Sequence, residues 1–200
     1  MKRRTFLATS SAALAAMTLP ASAKASLDAL SAYINGISTL EADFAQINPD
    51  GSRDNGKLYL RRPGRMRFEY ATNDALVMAG GGTVAIFDPK TNVAPEQFPI
   101  RRTPLNLILQ RNVNLAASGM VIGHSGDATT TRVTARDPKN REAGQIEMVF
   151  VNNPLTLAQW TITDQGGGRT TVVLNRIRLG GQMSARLFSI TQEIQQRMGG

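Results

Sequence analysis

The chain has 200 residues, with 23 Lys or Arg against 15 Asp or Glu, one His and no Cys, which gives a formal net charge of +8. The lack of Cys excludes disulfides, thiolate chemistry and a lipidated N-terminal cysteine. The positive charges are scattered and are not interleaved with aromatic residues. They therefore argue against nucleic-acid binding and favour attraction to anionic head groups or to an acidic protein.

The first 23 residues have the pattern of a cleaved export signal. Lys-Arg-Arg at residues 2–4 precedes an apolar stretch, Ala8 to Leu19, that is too short to span a bilayer. Ala21-Ser22-Ala23 then provides the small residues that signal peptidase accepts. Arg3-Arg4-Thr5-Phe6-Leu7 resembles a twin-arginine signal, and a Sec signal with two adjacent arginines is the alternative. Both routes lead to the periplasm, where residues 24–200 are predicted to form a single domain without a cofactor.

The hydrophobic pattern of the first half predicts one short helix followed by antiparallel strands. Apolar residues recur at helical spacing from Leu27 to Ile37, with Ser26 placed as N-cap, so the helix is predicted over Leu27 to Asn35. From Leu40 onwards, apolar and polar residues alternate with period two, which is typical of half-buried strands. The strands predicted here, separated by turns rich in Pro and Gly, are residues 40–45, 57–62, 65–70, 75–79 and 83–87.

The alternation stops at Thr103-Pro104, where an apolar cluster begins. Thr103 as N-cap and Pro104 as the first helical residue predict a second short helix, and Asn112 to Ala117 would add a further helical turn. Five more strands are predicted at residues 129–136, 145–151, 157–163, 170–179 and 186–190. The fold is therefore predicted to be mainly β, with about ten or eleven antiparallel strands and two or three short helices.

No set of residues suited to catalysis or metal binding is recognisable. His124, the only histidine, lies in Gly-His-Ser-Gly, but a nucleophile elbow requires Gly where Asp127 stands, so His124 is interpreted as a solvated loop residue. One His and no Cys leave only carboxylates for a metal. Gly80–Gly82 is followed by a predicted strand rather than by the helix N-terminus of a phosphate site. The protein is therefore predicted not to be an enzyme; an esterase that uses Ser125 and His124 is the catalytic alternative.

The segment from Gly56 to Tyr70 resembles the hallmark region of the LolA family of outer-membrane lipoprotein carriers. A Gly-x-Leu strand runs into Arg62-Pro63 and is followed by an aromatic-rich strand. Residues 82–89 and Thr103-Pro104-Leu105 follow in the order that the family has. Two features depart from better-known members: the twin-arginine-like signal, and a short tail after Ile190 without the strand-like extension that some members carry.

The resemblance implies an unclosed antiparallel β-barrel whose concave apolar face is covered by a lid of short helices. It also implies a chaperone that takes triacylated lipoproteins from an inner-membrane ABC transporter complex to an outer-membrane receptor. We expect a monomer. The alternative on the same fold is a periplasmic carrier or sensor of another lipid, such as a glycolipid or a phospholipid.

Strand alternation predicts which side chains face the acyl-binding cavity, and an ordinary filled core is the alternative for each of them. The predicted cavity residues are Leu58, Leu60, Met66, Phe68, Val84, Ile86, Phe150 and Trp160. The predicted lid residues are Leu30, Ile34, Leu105, Leu107, Ile108 and Leu109. A helix as short as the one after Thr103 has little stability of its own, which suits a cover that opens.

Arg62 falls on the same predicted face as Leu58 and Leu60, where a charge is costly unless hydrogen bonds satisfy it. A register break at Pro63 that turns the side chain out to water is the alternative. The resemblance to the family implies that Arg62 is a latch, which holds the lid shut through hydrogen bonds to lid backbone carbonyls.

Overall fold

Eleven antiparallel strands form a single sheet in the computed structural model, which describes residues 24–90, 93–117 and 119–198. The predicted export signal, residues 1–23, lies outside the described residues. The strands are β1 Thr39–Ile47, β2 Arg53–Arg61, β3 Arg65–Tyr70, β4 Leu76–Gly80, β5 Thr83–Phe87, β6 Glu96–Pro99, β7 Val121–Gly126, β8 Thr130–Ala135, β9 Gln145–Asn152, β10 Leu155–Thr163 and β11 Arg169–Leu179.

The sheet order is β6-β5-β4-β3-β2-β1-β11-β10-β9-β8-β7, so the first and last strands are neighbours at its centre. β6 and β7 lie at the two ends of this order, and the sheet does not close into a barrel. The prediction of a mainly β, unclosed antiparallel barrel with short helices is confirmed.

Three short α-helices accompany the sheet in the described part of the chain: α1 Leu27–Gly36, α2 Asn106–Leu109 and α3 Ile190–Met198. The Ser26 hydroxyl accepts the N–H of Ala29 at 3.1 Å, which is the predicted N-cap. None of these helices is long and apolar enough to cross a membrane.

The second helix begins later than predicted. Thr103 does not cap it, because its hydroxyl donates to the carbonyl of Ile100 at 3.0 Å, within a 3₁₀ turn over Ile100–Arg102. The α-helix starts only at Asn106. The helical turn predicted for Asn112 to Ala117 is also wrong: this segment forms a turn in which Ala117 donates to the carbonyl of Asn114 at 3.2 Å.

The strand predicted at residues 186–190 is wrong as well. This segment is a 3₁₀ turn, Ala185–Phe188, that leads into α3. Five residues are too few for period-two alternation to distinguish a strand from a helix. Ile190 and Ile194 are spaced as on one face of a helix, and both pack against the sheet.

The two faces of the sheet have separate cores. The concave face carries the main core, to which α1 and α2 contribute. The convex face carries a small cluster against which α3 packs, formed by Leu76, Met78, Ala85 and Phe87. α3 therefore covers the opposite face of the sheet and cannot belong to a lid over the concave face. Only α1 and α2 can form such a lid.

Two short edge strands were missed, and one of them contains His124. β7 carries two glycines in six residues, which made the segment resemble a loop. His124 pairs with Val133 in the sheet, and its Nε2 donates to the carbonyl of Ala25 at 2.9 Å. The interpretation of His124 as a solvated loop residue is wrong: it is half-buried and fastens the segment that enters α1.

Gly56 allows close packing of aromatic rings at the centre of the sheet. It lies between Phe44 and Tyr70 in register. A Cβ at this position would overlap the carbonyl oxygen of Glu69 and come within 2.9 Å of the Phe44 ring. The missing side chain thus gives the Phe44 ring room to lie edge-on against Tyr70, with centroids 5.2 Å apart.

Candidate functional site

A cavity of about 690 Å³ opens on the concave face of the sheet. β3, β4, β5 and β6 form one wall, β10 and β11 form the other, and residues 102–105 border it. Most of its wall is apolar, contributed by Phe68, Val77, Val84, Ile86, Phe98, Leu105, Trp160, Ile162 and Val172. Such a wall can accept a ligand through dry, non-directional contacts.

The predicted cavity residues divide into two groups. Phe68, Val84, Ile86 and Trp160 line the cavity. Leu58, Leu60, Met66 and Phe150 do not; they are at most 5% exposed and belong to the packed core. The helices explain the division, because they fill that half of the concave face: the ring of Tyr33 on α1 meets the ring of Phe150 edge-on, with centroids 5.9 Å apart.

Several lining residues were missed by sequence reasoning. Ile162 lies two positions from Trp160 on β10, and Val172 is the register partner of Trp160 on β11, so the alternation used for β2 to β5 would have found both. Phe98 was missed because β6 was missed. No sequence pattern identified the polar side chains at the cavity border, because charged residues next to a turn are usually just exposed to solvent.

An aromatic cluster forms part of the wall. The ring of Phe68 lies edge-on to Trp160, with centroids 6.3 Å apart, and to Phe44, with centroids 5.0 Å apart. The Tyr70 hydroxyl donates to Gln46 Oε1 at 3.0 Å, and burial raises the pKa of Tyr70. The phenol therefore stays neutral, and the two polar groups satisfy each other.

The predicted lid residues lie over the packed half. Leu105 is half-buried and reaches the cavity wall, while the others are at most 3% exposed: Leu30, Ile34, Leu107, Ile108 and Leu109.

Polar side chains of α1 join this helix to the segment that follows α2. Asn35 Nδ2 donates to the Val113 carbonyl at 2.8 Å, and its Oδ1 accepts the Val113 N–H at 2.9 Å. Ser31 Oγ accepts the N–H of Leu115 at 2.9 Å. These bonds tie α1 to the segment that follows α2, so the two helices are connected as one cover.

The guanidinium of Arg62 is bonded to both parts of this cover. Its Nη1 donates to the carbonyl of Ile34, in the last turn of α1. Its Nη2 donates to Asn35 Oδ1 at 3.2 Å, to the Gln110 carbonyl at 2.7 Å and to the Arg111 carbonyl at 3.4 Å. Burial lowers the pKa of Arg62. The charge lies where the C-terminal carbonyls of a helix favour a cation.

The backbone of the same β2–β3 hairpin adds a further contact, because Gly64 donates its N–H to the Leu109 carbonyl at 2.8 Å. Arg62 Nε is buried and has no hydrogen-bond partner among the described residues. The hairpin and Arg62 together thus hold the C-terminal ends of α1 and α2 against the sheet.

The described residues contain no group of three or more His, Cys, Asp and Glu that could hold a metal ion. His124 and Ser125 are consecutive on β7, so their side chains point to opposite faces of the strand. His124 Nε2 is bonded to the Ala25 carbonyl. A nucleophile and a base within hydrogen-bond reach, as an esterase requires, are not formed by this pair.

Comparison with known proteins finds a matching family and sequence relatives. Residues 35–191 match the family model "Outer membrane lipoprotein carrier protein LolA". The outer-membrane lipoprotein carrier protein of Chromobacterium violaceum is 28% identical over 189 residues, 90% of each chain. That of Legionella pneumophila (strain Corby) is 29% identical over 177 residues, 82% of this chain and 84% of its own. Among solved structures, a LolA superfamily protein from Nitrosomonas europaea matches with a TM-score of 0.44 and 8% identity, covering 82% of this chain and 98% of that one.

Proposed function

We propose that this chain, which belongs to the LolA family of outer membrane lipoprotein carrier proteins, is a periplasmic, non-enzymatic carrier that binds the acyl chains of lipoproteins. On this proposal it receives triacylated lipoproteins from an inner-membrane ABC transporter complex and passes them, as a monomer, to an outer-membrane receptor. The observation that carries the proposal is an apolar cavity beside two helices, α1 and α2, whose ends are both bonded to Arg62.

Acyl chains suit the wall of this cavity. Each methylene transferred from water to an apolar surface contributes about 0.8 kcal/mol, without any requirement on direction. Phe68, Trp160 and Ile162 offer such a surface, and two polar groups in the wall, Gln46 and Tyr70, are bonded to each other. A carrier must also release its cargo. Part of the free energy of binding therefore has to be offset by bonds that break on loading and form again when the cargo leaves.

We propose that the hydrogen bonds of Arg62 provide this offset. Opening the cover breaks its bonds to Ile34, Gln110 and Arg111, and closing the cover restores them. Arginine suits the role because its planar head offers five donors and remains charged in both states. The latch bonds therefore offset part of the free energy gained by burying acyl chains, which keeps loading reversible.

The test is Arg62→Leu, loaded with a fluorescent lipoprotein and mixed with acceptor membranes that carry the receptor. Uptake should persist, because the apolar wall is unchanged. Transfer should slow about tenfold, equivalent to about 1.4 kcal/mol, since no latch bonds compete for re-closure and Leu adds apolar contact.

Arg65→Leu is the matched control. Arg65 lies on the same hairpin, opposite Arg61 in register, and makes no side-chain hydrogen bond in the described structure. It should transfer cargo at the wild-type rate. Wild-type transfer by Arg62→Leu would overturn the latch, and failure of the wild-type protein to take up any lipoprotein would overturn the carrier function itself.

A further inference from the structure

We propose that the cavity, with the lid still closed, binds one single-chain anionic amphiphile, a fatty acid or a lysophospholipid, and that Arg102 contacts its head group. The proposal goes beyond lipoprotein carriage and rests on two premises of the proposed function: the cavity accepts acyl chains, and α1 and α2 form a cover held by Arg62. It rests on the capacity of the cavity, on the position of the lid bonds and on the charges at the cavity border.

The capacity of the closed form fits one chain. A methylene occupies roughly the volume of a water molecule in the liquid, about 30 Å³. The cavity of about 690 Å³ therefore holds on the order of 20 methylene groups. That is enough for one long acyl chain and not for the three chains of a triacylated lipoprotein, which would need more of the concave face.

Occupying this volume leaves the latch intact. Neither Arg62 nor its acceptors Ile34, Gln110 and Arg111 line the cavity. Leu105 is the member of the predicted lid set that does, and it lies before the start of α2. A single chain can therefore enter without breaking the bonds that hold the cover, whereas a triacylated cargo has to displace it.

The cavity border provides a cation for the head group. Arg102 lines the cavity, is exposed and has no ion pair among the described residues. It lies in the 3₁₀ turn Ile100–Arg102, which packs against a second 3₁₀ turn, Arg141–Ala143, through which Ala143 also reaches the cavity. Thr170 lies on the same border and offers a hydroxyl donor, whereas the Thr103 hydroxyl already donates to the Ile100 carbonyl.

One acidic residue lies on this border, and the region around the border remains net positive. Asp164 lines the cavity, and its Oδ1 accepts the N–H of Gly168 at 2.9 Å. It also borders a neighbouring surface depression together with Arg136 and Arg141. The two 3₁₀ turns contribute Arg101, Arg102 and Arg141 against the single acid Glu142. Taken together with Asp164, the region has three arginines against two acids, a net charge of +1, so a carboxylate or phosphate is favoured there over a neutral head.

The experiment titrates the delipidated protein with three probes: palmitate, palmitoyl-lysophosphatidylglycerol and hexadecanol. Trp160 is the only tryptophan and lines the cavity, so its fluorescence reports occupancy, and calorimetry gives the stoichiometry. We expect one molecule of palmitate or of the lysophospholipid per protein. Arg102→Gln should weaken the binding of the anionic probes about fivefold, the effect of one partly exposed ion pair, and leave hexadecanol binding unchanged.

Arg186→Gln is the matched control, because Arg186 is also exposed on a 3₁₀ turn but lies outside the cavity. It should bind all three probes as the wild type does. A preference for palmitate or for the lysophospholipid identifies the head group that the border favours. Hydrogen exchange of the Val113 amide, which Asn35 holds in the closed lid, should not increase when palmitate binds.

Three results would overturn the proposal. They are binding of several chains per protein, faster exchange at Val113 on palmitate binding, and equal affinity of Arg102→Gln and wild type for the anionic probes. Absence of palmitate binding, with lipoprotein uptake intact, would reject this inference and leave the carrier function standing. Absence of both would reject the acyl-binding cavity on which both proposals depend.

Discussion

Arg67 on β3 and Glu193 on α3 form an ion pair across the convex face, with Nη1 and Oε2 2.8 Å apart. Both side chains are only 13% exposed. Arg67 also donates to the carbonyl of Leu187 at 3.3 Å, and Glu193 accepts Nε of Arg197 at 2.8 Å. This pair fastens the C-terminal helix to the strand whose opposite face carries Phe68 at the cavity wall.

Glu193→Gln should lower the free energy of unfolding by about 1–2 kcal/mol at pH 7, because Arg67 loses a charged partner while remaining largely buried. Burial alone would raise the pKa of Glu193, but hydrogen bonds from Arg197 and Arg67 outweigh it, and the pKa is lowered overall. A lowered folded-state pKa means that the stabilisation is present above the unfolded value, about 4.3, and is lost as the pH falls through the folded value.

Urea unfolding of wild type and Glu193→Gln at a series of pH values measures this difference. The stability gap should be widest near neutral pH and should shrink in acid. Glu96→Gln, at an exposed position without an ion pair in the described structure, should change stability by less than about 0.5 kcal/mol. A gap that is independent of pH would show that charge pairing at Glu193 is not its source.

Gly56→Ala should be strongly destabilising, by about 3 kcal/mol, because the added methyl meets the backbone of Glu69 and the ring of Phe44. Thermal unfolding checks this. Gly181→Ala is the control, since a Cβ at Gly181 has no neighbour within 4 Å, and it should unfold near the wild-type temperature. Similar melting temperatures for the two variants would mean that the central strands can shift to admit the methyl group.

Triacylated cargo should open the lid, because it has to break the bonds that hold the ends of α1 and α2 to Arg62. The amides of Leu107, Ile108 and Leu109 are bonded only to nearby carbonyls in residues 104–105, so their protection depends on what the helix packs against. Hydrogen exchange should show these amides less protected in the loaded protein than in the empty one. Equal protection in both states would contradict a mobile lid.

Asn35→Ala sharpens the same test, because it removes the bonds of Asn35 to Val113 and to Arg62. Exchange at Val113 and in α2 should accelerate, with a loss of about 1–3 kcal/mol in local stability. Asn112→Ala changes an exposed side chain in the neighbouring sequence and should leave exchange as it is in the wild type.

Ile86→Asn should weaken acyl-ligand binding about fivefold while hardly affecting folding, because Ile86 lines the cavity yet is already 37% exposed. Fluorescence of Trp160 during titration with palmitate measures the affinity. Val93→Asn, at a position that is 70% exposed and outside this cavity, is the control and should bind normally. Unchanged affinity of Ile86→Asn would place the acyl chain elsewhere.

The sequence alone determined the elements whose evidence is local. Period-two alternation identified the central strands, because side chains on a strand point alternately to its two faces over any stretch long enough to count. The Ser26 cap and the spacing of Leu30 and Ile34 similarly predicted α1. Short or glycine-containing segments had too few residues for such a count, so β6, β7 and the 3₁₀ turn at 185–188 were missed or misassigned.

Only the tertiary structure decided which part of the concave face is filled and which is open. Leu60 and Phe68 have the same alternation and similar burial, yet the first lies in the packed core and only the second lines the cavity. The difference comes from where α1 and α2 lie on the sheet and from residues 102–105, which are remote in sequence from Leu60 and Phe68. A void is the space that distant elements leave when they pack, and no local pattern in the chain encodes it.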